Sequence, residues 1–442
     1  MSGKAYIVSV DMGYGHERAA YALRHLAEGG IIVANNYPGI PKKDKSLWLK
    51  VRKFYETISR LKPIPVIGNL IFEAVDRAQT IELFYPRRDL SRPTIQVRQI
   101  YHSIEHHNFQ KDLIDRLAKK PLPMICTFFS PAFAAEYFGY PGEIYCVVTD
   151  ADCSRAWVAK NPKGSRIKYF APNGRVVERL KLYGVKEKNI YLTGFPLPKE
   201  LIGGPDAKII RKDLPPRLCN LDPNGIFLVK YHKTLATHLG RDVARCYRRR
   251  SPPTLVFTVG GAGAQRDLGV QILESLVDKI RDSKIRLVLV AGTNEGLALY
   301  FKRQIAKLRL NKKLGTYVEV VYKPNKRQYF EEFSKILHTT DILWTKPSEM
   351  SFYTGLGIPI IMAPPIGSQE QFNKIWLKMV GGGVTQNNPK YTNEWLFDWI
   401  NSGGLARMAW NGFIEAPTHG AFRIEEIITS KPYKLEKLPL IV

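Results

Sequence analysis

Three segments of this chain have residue types and spacing suited to chemistry. The first is Asp11-Met12-Gly13-Tyr14-Gly15-His16, directly after the apolar run 5–10. A histidine where a strand hands over to a helix meets the positive end of the helix dipole. That disfavours the imidazolium and keeps the ring neutral, able to accept a proton. Gly13 and Gly15 leave space beside it, and His16 is the candidate base, set against an ordinary structural histidine. The second is Gly260-Gly261-Ala262-Gly263-Ala264-Gln265, after the apolar run 254–259. Without side chains at Gly260, Gly261 and Gly263, backbone N–H groups approach a phosphate at a helix N-terminus, and Gln265 adds hydrogen bonds. A tight turn that needs glycine for its backbone angles fits the same residues. The third runs from Thr345 to Asn373. Lys346 brings charge for a phosphate, Ser348 and Glu349 open a helix, and a Pro/Gly loop delivers Gln369, Glu370 and Asn373 to the next one. A carboxylate there suits the hydroxyl pair of a ribose or sugar, although Ser348 and Glu349 also fit a plain helix cap.

Elements of a doubly wound fold must position these residues. Buried-strand patterns fall at 5–10, 123–129, 143–149, 169–171 and 190–193, with helices at about 17–27 and 174–182. After a stretch rich in Pro, Gly, Lys and Asp at 204–224, read as a linker, a second series begins. Its strands are 254–259, 286–290, 318–321, 342–345 and 359–362, alternating with helices at about 265–280, 295–309, 327–339, 349–356 and 369–380. Such alternation gives an α/β fold with parallel sheets, and ligands bind at the C-terminal ends of the strands. The expected architecture is two Rossmann-like domains facing each other across a cleft, over residues 1–203 and 225–442. A Trp-rich helical tail from about 393 would cross back to the first.

Composition narrows the function. The 442 residues are 45% hydrophobic and 24% charged, which excludes a disordered chain, a collagen or a coiled coil. Lys and Arg number 66 against 40 Asp and Glu, a net charge of +26, which favours an anionic partner. No helix-turn-helix, RNA-recognition or zinc signature accompanies the charge, so nucleic acid is not expected as a partner. The five cysteines, at 126, 146, 153, 219 and 246, show no CxxC spacing. Neither a metal site nor a disulfide framework is expected, and a reducing, cytoplasmic location fits. No run of 18 apolar residues occurs, and the N-terminus does not read as a signal peptide.

Residues 42–62 carry eight Lys or Arg and two acids, with Leu47, Val51, Phe54, Ile58 and Leu61 at helical spacing. The composition suits a helix lying on an anionic bilayer, with Trp48, Phe54, Tyr55 and Ile58 as insertion groups and 42–80 as the membrane-contacting region. A helix packed on its own domain with a solvated basic face is the plainer alternative.

Gly-x-Gly-His after the first strand, Gly-Gly-x-Gly after the linker and the Thr-Lys-Pro…Gly-x-Pro…Gln-Glu-x-x-Asn block occur in that order. So do Val147-Val148-Thr149-Asp150, Trp157, Tyr169-Phe170-Ala171-Pro172 and Gly194-Phe195-Pro196. This ordered set resembles the GT-B glycosyltransferases, in the branch of diacylglycerol glycosyltransferases, monogalactosyldiacylglycerol synthases and the lipid II-forming N-acetylglucosaminyltransferase. The resemblance implies sugar transfer from a nucleotide-sugar, a UDP-sugar, as co-substrate and without a cofactor or metal, to a lipid acceptor at the inner face of a membrane. It implies donor contacts from Gly260, Gly261, Gly263, Gln265, Lys346, Ser348, Glu349, Gln369, Glu370 and Asn373. Gly13, Gly15, Asp150 and Trp157 would lie on the acceptor side, with His16 catalytic. A GT-B-like binding protein without transferase activity and a sugar-nucleotide epimerase are the alternatives. Two departures stand out. Ser154 replaces the usual histidine of His-x-x-Trp, and the connection between Thr-Lys-Pro and Gly-x-Pro is two residues short. Its usual carboxylate position, counted back from Pro359, falls at Phe352, three residues after Glu349.

Overall fold

Short runs of β-branched and aromatic residues, bounded by polar turns, build two parallel sheets. The computed structural model describes residues 3–50, 81–240, 251–258, 265–365 and 367–438. Two compact units emerge, each with a six-stranded sheet. Both are Rossmann-like.

Unit 1 comprises Met1–Pro198, Ile366–Asn373 and Pro417–Val442. Its strands are β1 (Ala5–Ser9), β2 (Ala27–Val33), β3 (Met124–Cys126), β4 (Ile144–Val147), β5 (Lys168–Ala171) and β6 (Ile190–Leu192). They pair in parallel in the order β2-β1-β3-β4-β5-β6. Every residue of β1, β3 and β4 is buried, as a sheet covered on both faces requires, which explains their unbroken apolar sequences. Alternation sorts their side chains. Tyr6, Val8 and Cys126 join Val97, Ile104 and Phe133 in one core. Ala5, Ile7, Ile125 and Val147 join Ala20, Leu23 and, from the C-terminal helix Gly420–Thr429, Ala421, Ile424 and Ile428 in the other. The C-terminal helix is thus a structural layer of unit 1. Gly420 permits it, because a Cβ there would collide with the carbonyls of Gly194 and Phe195.

Unit 2 comprises Lys199–Pro365 and Lys374–Ala416. Its strands are β7 (Thr254–Thr258), β8 (Arg286–Gly292), β9 (Val318–Tyr322), β10 (Ile342–Thr345), β11 (Ile360–Met362) and β12 (Gly383–Thr385). The order is β12-β11-β10-β7-β8-β9, again all parallel.

Several expectations need correction. The stretch 204–224 is not a linker. Lys208–Asn220 is a helix whose Ile210, Leu214, Arg217 and Leu218 are buried, and the units divide at Pro198 and Lys199. Only 417–442 of the expected tail belongs to unit 1; the helices Thr392–Asn401 and Gly404–Glu415, with Trp395 and Trp410, line the unit 2 core. The first helix ends at Ala22, leaving room for β2, a half-exposed edge strand with Gly29 and Gly30 at positive φ and hence no alternating pattern to read. Cys126, Cys146 and Cys153 are free thiols, but Cys219 is disulfide-bonded, where no disulfide framework was expected. Trp48 is no membrane group. Residues 42–50 are helical, and Trp48, 4% exposed, packs inward on Phe109 and Phe128. Phe54, Tyr55 and Ile58 lie outside the described residues.

The loop after β4 is fixed from inside by a buried ion pair. Arg179 donates from Nε and Nη2 to the two oxygens of Asp152, each at 2.9 Å, and from Nη1 to the Glu82 carbonyl at 2.8 Å. Arg175 adds a bond to Asp152 at 3.1 Å. Phe84 lies under both guanidinium groups. Removing one partner of such a pair strands the other charge, whereas an apolar replacement of both does not. Asp152→Ala should therefore lower the unfolding free energy by about 3–5 kcal/mol. The double variant Asp152→Leu/Arg179→Met should lose distinctly less. Urea melts of both variants test this, and equal losses would show that packing, not charge, dominates the loop.

Candidate functional site

Strand order places the reactive edges. In unit 1 the chain leaves β1, forms β2 on one side, then returns to β3 on the other, so the switch point lies between β1 and β3. The loop after β1 enters the helix Tyr14–Ala22 through Gly13, whose φ of 117° only glycine adopts readily. Gly15 and His16 occupy the first helical turn. Thr127 follows β3; its N–H donates to the Val8 carbonyl at 2.9 Å, and its own carbonyl accepts from His16 Nδ1–H at 2.8 Å. That bond crosses the switch point and fixes the tautomer: with Nδ1 protonated, Nε2 carries the lone pair. The Thr149 hydroxyl, beyond β4, lies 3.4 Å from Nδ1. Phe128 meets the imidazole edge-on at 4.9 Å between centroids, and Trp157 lies at 6.0 Å. Burial pushes the His16 pKa down to about 4, opposed by the Thr127 carbonyl, so the ring is neutral near pH 7.

Asp150 is held rather than free to act as a base. Asn373 Nδ2 donates to Asp150 Oδ1 at 2.9 Å, while Asn373 Oδ1 accepts from the Ala151 N–H at 2.7 Å. This corrects the expected donor-binding role of Asn373: it is fully buried, and its carboxamide fastens the loop after β4. Gln369 and Glu370 share the segment Ile366–Asn373, grouped with unit 1; Gln369 is exposed and Glu370 buried. In the Ser154-Arg155-Ala156-Trp157 turn the new feature is Arg155. It is buried and donates to the carbonyls of Ser91, Val158 and Ala159, so the turn gains an anchor where the resemblance implies a histidine nearby.

Unit 2 repeats the plan. Its switch point lies between β7 and β10, whose terminal threonines meet through Thr258 Oγ1–H donating to Thr345 Oγ1 at 2.8 Å. Gly260, Gly261 and Gly263, in the connection after β7, lie outside the described residues. Gln265 resumes the chain and donates from Nε2 to the Pro364 carbonyl at 3.2 Å, joining the start of helix Arg266–Ser275 to the loop after β11. After β10 come partly buried Lys346 and then a fully buried 3-10 helix, Glu349–Leu356. Ser348 does not cap it: its side chain makes no capping bond, and its buried Oγ has no partner among the described residues. Three contacts hold this helix. Met350 packs its sulfur on Thr258, Thr354 donates to the Gly382 carbonyl, and Arg217 grips the Leu356 carbonyl at 2.7 Å. Arg217 also binds the carbonyls of Thr340 and Leu337, so the residue assigned to a linker positions the edge that carries Glu349.

Among the described residues no group of three or more His, Cys, Asp or Glu is arranged to hold a metal ion. No described helix is long and apolar enough to cross a membrane. Thr127 and Thr258 escaped sequence reading, whereas Thr149 and Thr345 were part of the motifs it singled out. A recurrent signal was present, since Thr127, Thr258 and Thr345 lie at or just past the ends of strands beside the switch points, and Thr149 lies just beyond β4.

A family model described as a domain of unknown function (DUF6938) matches residues 231–409. The processive diacylglycerol beta-glucosyltransferase of Bacillus subtilis is 23% identical over 270 residues, 60% of this chain and 57% of that protein. Its counterpart from Bacillus licheniformis is 23% identical over 283 residues, 62% and 60% of the two chains. The chain is similar to processive diacylglycerol glucosyltransferases. It spans less than two thirds of the length of these curated relatives. Among solved structures, MurG of Acinetobacter baumannii aligns at a TM-score of 0.44 with 12% identity, over 76% of this chain and 78% of the other. A UDP-GlcNAc 2-epimerase from Neisseria meningitidis aligns at 0.43 with 12% identity, over 73% and 80%.

The half-buried His16 imidazole carries a thermodynamic signature. Its folded-state pKa of about 4 lies below the ordinary value of 6.5, so the unfolded chain binds the proton more tightly. Stability from this group is unchanged above pH 6.5 and falls as the pH drops from 6.5 towards 4. Every tenfold weakening of proton binding in the folded state costs about 1.4 kcal/mol once the ring must be charged. Between pH 7.5 and pH 5 the protein should lose about 2 kcal/mol more than the His16→Gln variant does. Urea melts of both proteins at the two pH values check this. Equal losses would show that the ring titrates normally.

Proposed function

We propose that the protein transfers a sugar from a nucleotide-sugar, a UDP-sugar, to a hydroxyl of a lipid acceptor. The observation that carries this reading is the fixed tautomer of His16. A ring donating through Nδ1 to a strand-end carbonyl presents Nε2 as a proton acceptor at the sheet edge where ligands bind. Similarity to glucosyltransferases named for a diacylglycerol acceptor supports the choice of reaction and of acceptor class.

Under this reading His16 Nε2 takes the acceptor proton as the hydroxyl oxygen attacks the anomeric carbon. The sugar–phosphate bond breaks, and the nucleoside diphosphate leaves with the electron pair. The Thr127 carbonyl steadies the imidazolium that forms. The aromatic rings of Phe128 and Trp157 keep water from the nitrogen and suit an apolar acceptor. In unit 2 the Gly260–Gly263 backbone and Lys346 would stabilise the departing diphosphate without a metal. Glu349 would hold the ribose hydroxyls. Its place on a 3-10 helix favours this, because side chains three apart eclipse in that geometry. Glu349 therefore shares a face with Phe352, the position where the resemblance implies the carboxylate. Gln369 and Glu370 are the proposed sugar contacts, and peripheral attachment to a membrane follows from the acceptor.

Two measurements test the reading. With UDP-glucose and diacylglycerol in mixed micelles, His16→Gln should cut transfer by about 10²–10⁴-fold, the range for a general base, with UDP affinity unchanged by calorimetry. Retained transfer would remove His16 from the reaction. Glu349→Ala should weaken UDP binding by about 1.5–3 kcal/mol, the loss of a hydrogen bond to a charged group. The loss should be smaller for 2′-deoxy-UDP. Identical losses for both nucleotides would mean that Glu349 never meets the ribose.

A further inference from the structure

We infer that unit 2 carries a docking face for an anionic lipid bilayer, formed by the outward side of the helix Glu295–Lys307 and the turn that follows it. Residues 302–313 hold six cations, Lys302, Arg303, Lys307, Arg309, Lys312 and Lys313, and no acid. All but Lys313 are exposed, and none of those five has a carboxylate partner among the described residues. Of the acids on flanking elements, Asp278 is held by Arg281, Glu319 by Arg286 and Glu332 by Lys323, and Glu295, in the first turn of the helix itself, is exposed. Lys313 is tied to Ser283 Oγ at 2.8 Å and anchors the turn.

The helix cannot roll this face away. Leu297, Ala298, Phe301 and Ile305 are locked into the unit 2 core, which leaves Leu299, Lys302, Arg303, Ala306 and Lys307 outward. Two large apolar side chains accompany the cations: Leu299 is 47% exposed and Leu314 43% exposed. Cations with apolar groups at the level of the backbone are what an interfacial segment needs, since lipid phosphates meet the charges while the leucines enter the acyl boundary. A nucleic acid would satisfy the charges and leave both leucines in water, so charge complementarity together with the leucines selects the bilayer. The N-terminal basic segment offers less in its described part, because Trp48 points inward. The inference does not depend on the transfer reaction.

The test is co-sedimentation of the full chain with vesicles of phosphatidylcholine containing one third phosphatidylglycerol, with pure phosphatidylcholine vesicles alongside. Each cation near an anionic surface contributes roughly fivefold to binding. The wild type should sediment with the anionic vesicles, lose them as salt rises, and ignore the neutral ones. The variant Lys302→Glu/Arg303→Glu/Lys307→Glu/Arg309→Glu should bind at least about 100-fold more weakly with an unchanged melting temperature. If that variant folds poorly, the milder Lys302→Gln/Lys307→Gln/Lys312→Gln protein should still lose about 100-fold. Leu299→Ser/Leu314→Ser should weaken binding while keeping its salt dependence. Charge-reversed protein that sediments like the wild type overturns the proposal. So does a wild type that ignores anionic vesicles and binds a single-stranded oligonucleotide through these same residues.

Discussion

Thr127 sits where β3 stops pairing, and its backbone must satisfy a donor and an acceptor that the sheet no longer serves in full. The N–H reaches back to Val8, the last rung of the ladder to β1. The carbonyl would be an orphan inside the protein, at the cost of a buried polar group, were it not for His16 Nδ1–H. One bond therefore does three things. It completes the ladder at the switch point, ties the helix Tyr14–Ala22 to the neighbouring strand, and decides which imidazole nitrogen keeps its lone pair. The orientation of the proposed base is a property of the sheet, not of a mobile loop, and the edge-on contact with Phe128 leaves the ring little freedom to turn.

Arginine solves the same problem elsewhere. Arg155, Arg179 and Arg217 are all buried, and each spends its donors on carbonyls or a carboxylate where an element ends. A guanidinium suits such places because its five N–H groups form a rigid fork that meets several acceptors at once. Burial lowers the pKa of Arg155 and Arg217, yet both stay charged because an arginine starts so high. Part of the positive charge of this chain is therefore internal scaffolding. The loop after β4 and the 3-10 helix, the two segments that carry Asp150, Trp157 and Glu349, are both shaped by it.

The sequence reads most clearly where one physical rule dominates. Strands buried on both faces show unbroken apolar runs, and ten of the twelve described strands fall where the sequence places one, the edge strands β6 and β9 among them. β2 and β12 escape because both are partly exposed and rich in glycine or very short, which leaves no apolar run to read. The helix Lys208–Asn220 passes for a linker because of Pro215, Pro216 and its lysines, although Ile210, Leu214 and Leu218 repeat every four residues. His16 is legible from its glycines. Its partner Thr127 is not, since a backbone carbonyl leaves no mark in a sequence. Trp48 and Asn373 mislead for a related reason: residue type says that a group can insert or bind, and only packing says that it is already occupied.

The connection after β10 is wound as a 3-10 helix, Glu349–Leu356. Eight residues wound as a 3-10 helix rise about 2.0 Å each, against about 1.5 Å in an α-helix, and so cover about 4 Å more. That gain equals the length of about two to three α-helical residues. The cost is poorer hydrogen-bond geometry, and long 3-10 runs are uncommon because of it. Here side chains reinforce the helix's own ladder: Thr258 touches Met350, Thr354 binds the Gly382 carbonyl, and Arg217 takes the last carbonyl. The same winding places Glu349 at the sheet edge and turns Phe352 into a core residue against Trp376. Positions three apart along a 3-10 helix share an azimuth and lie about 6 Å apart along the axis, so Glu349 sits one turn nearer the end of β10 than Phe352 does.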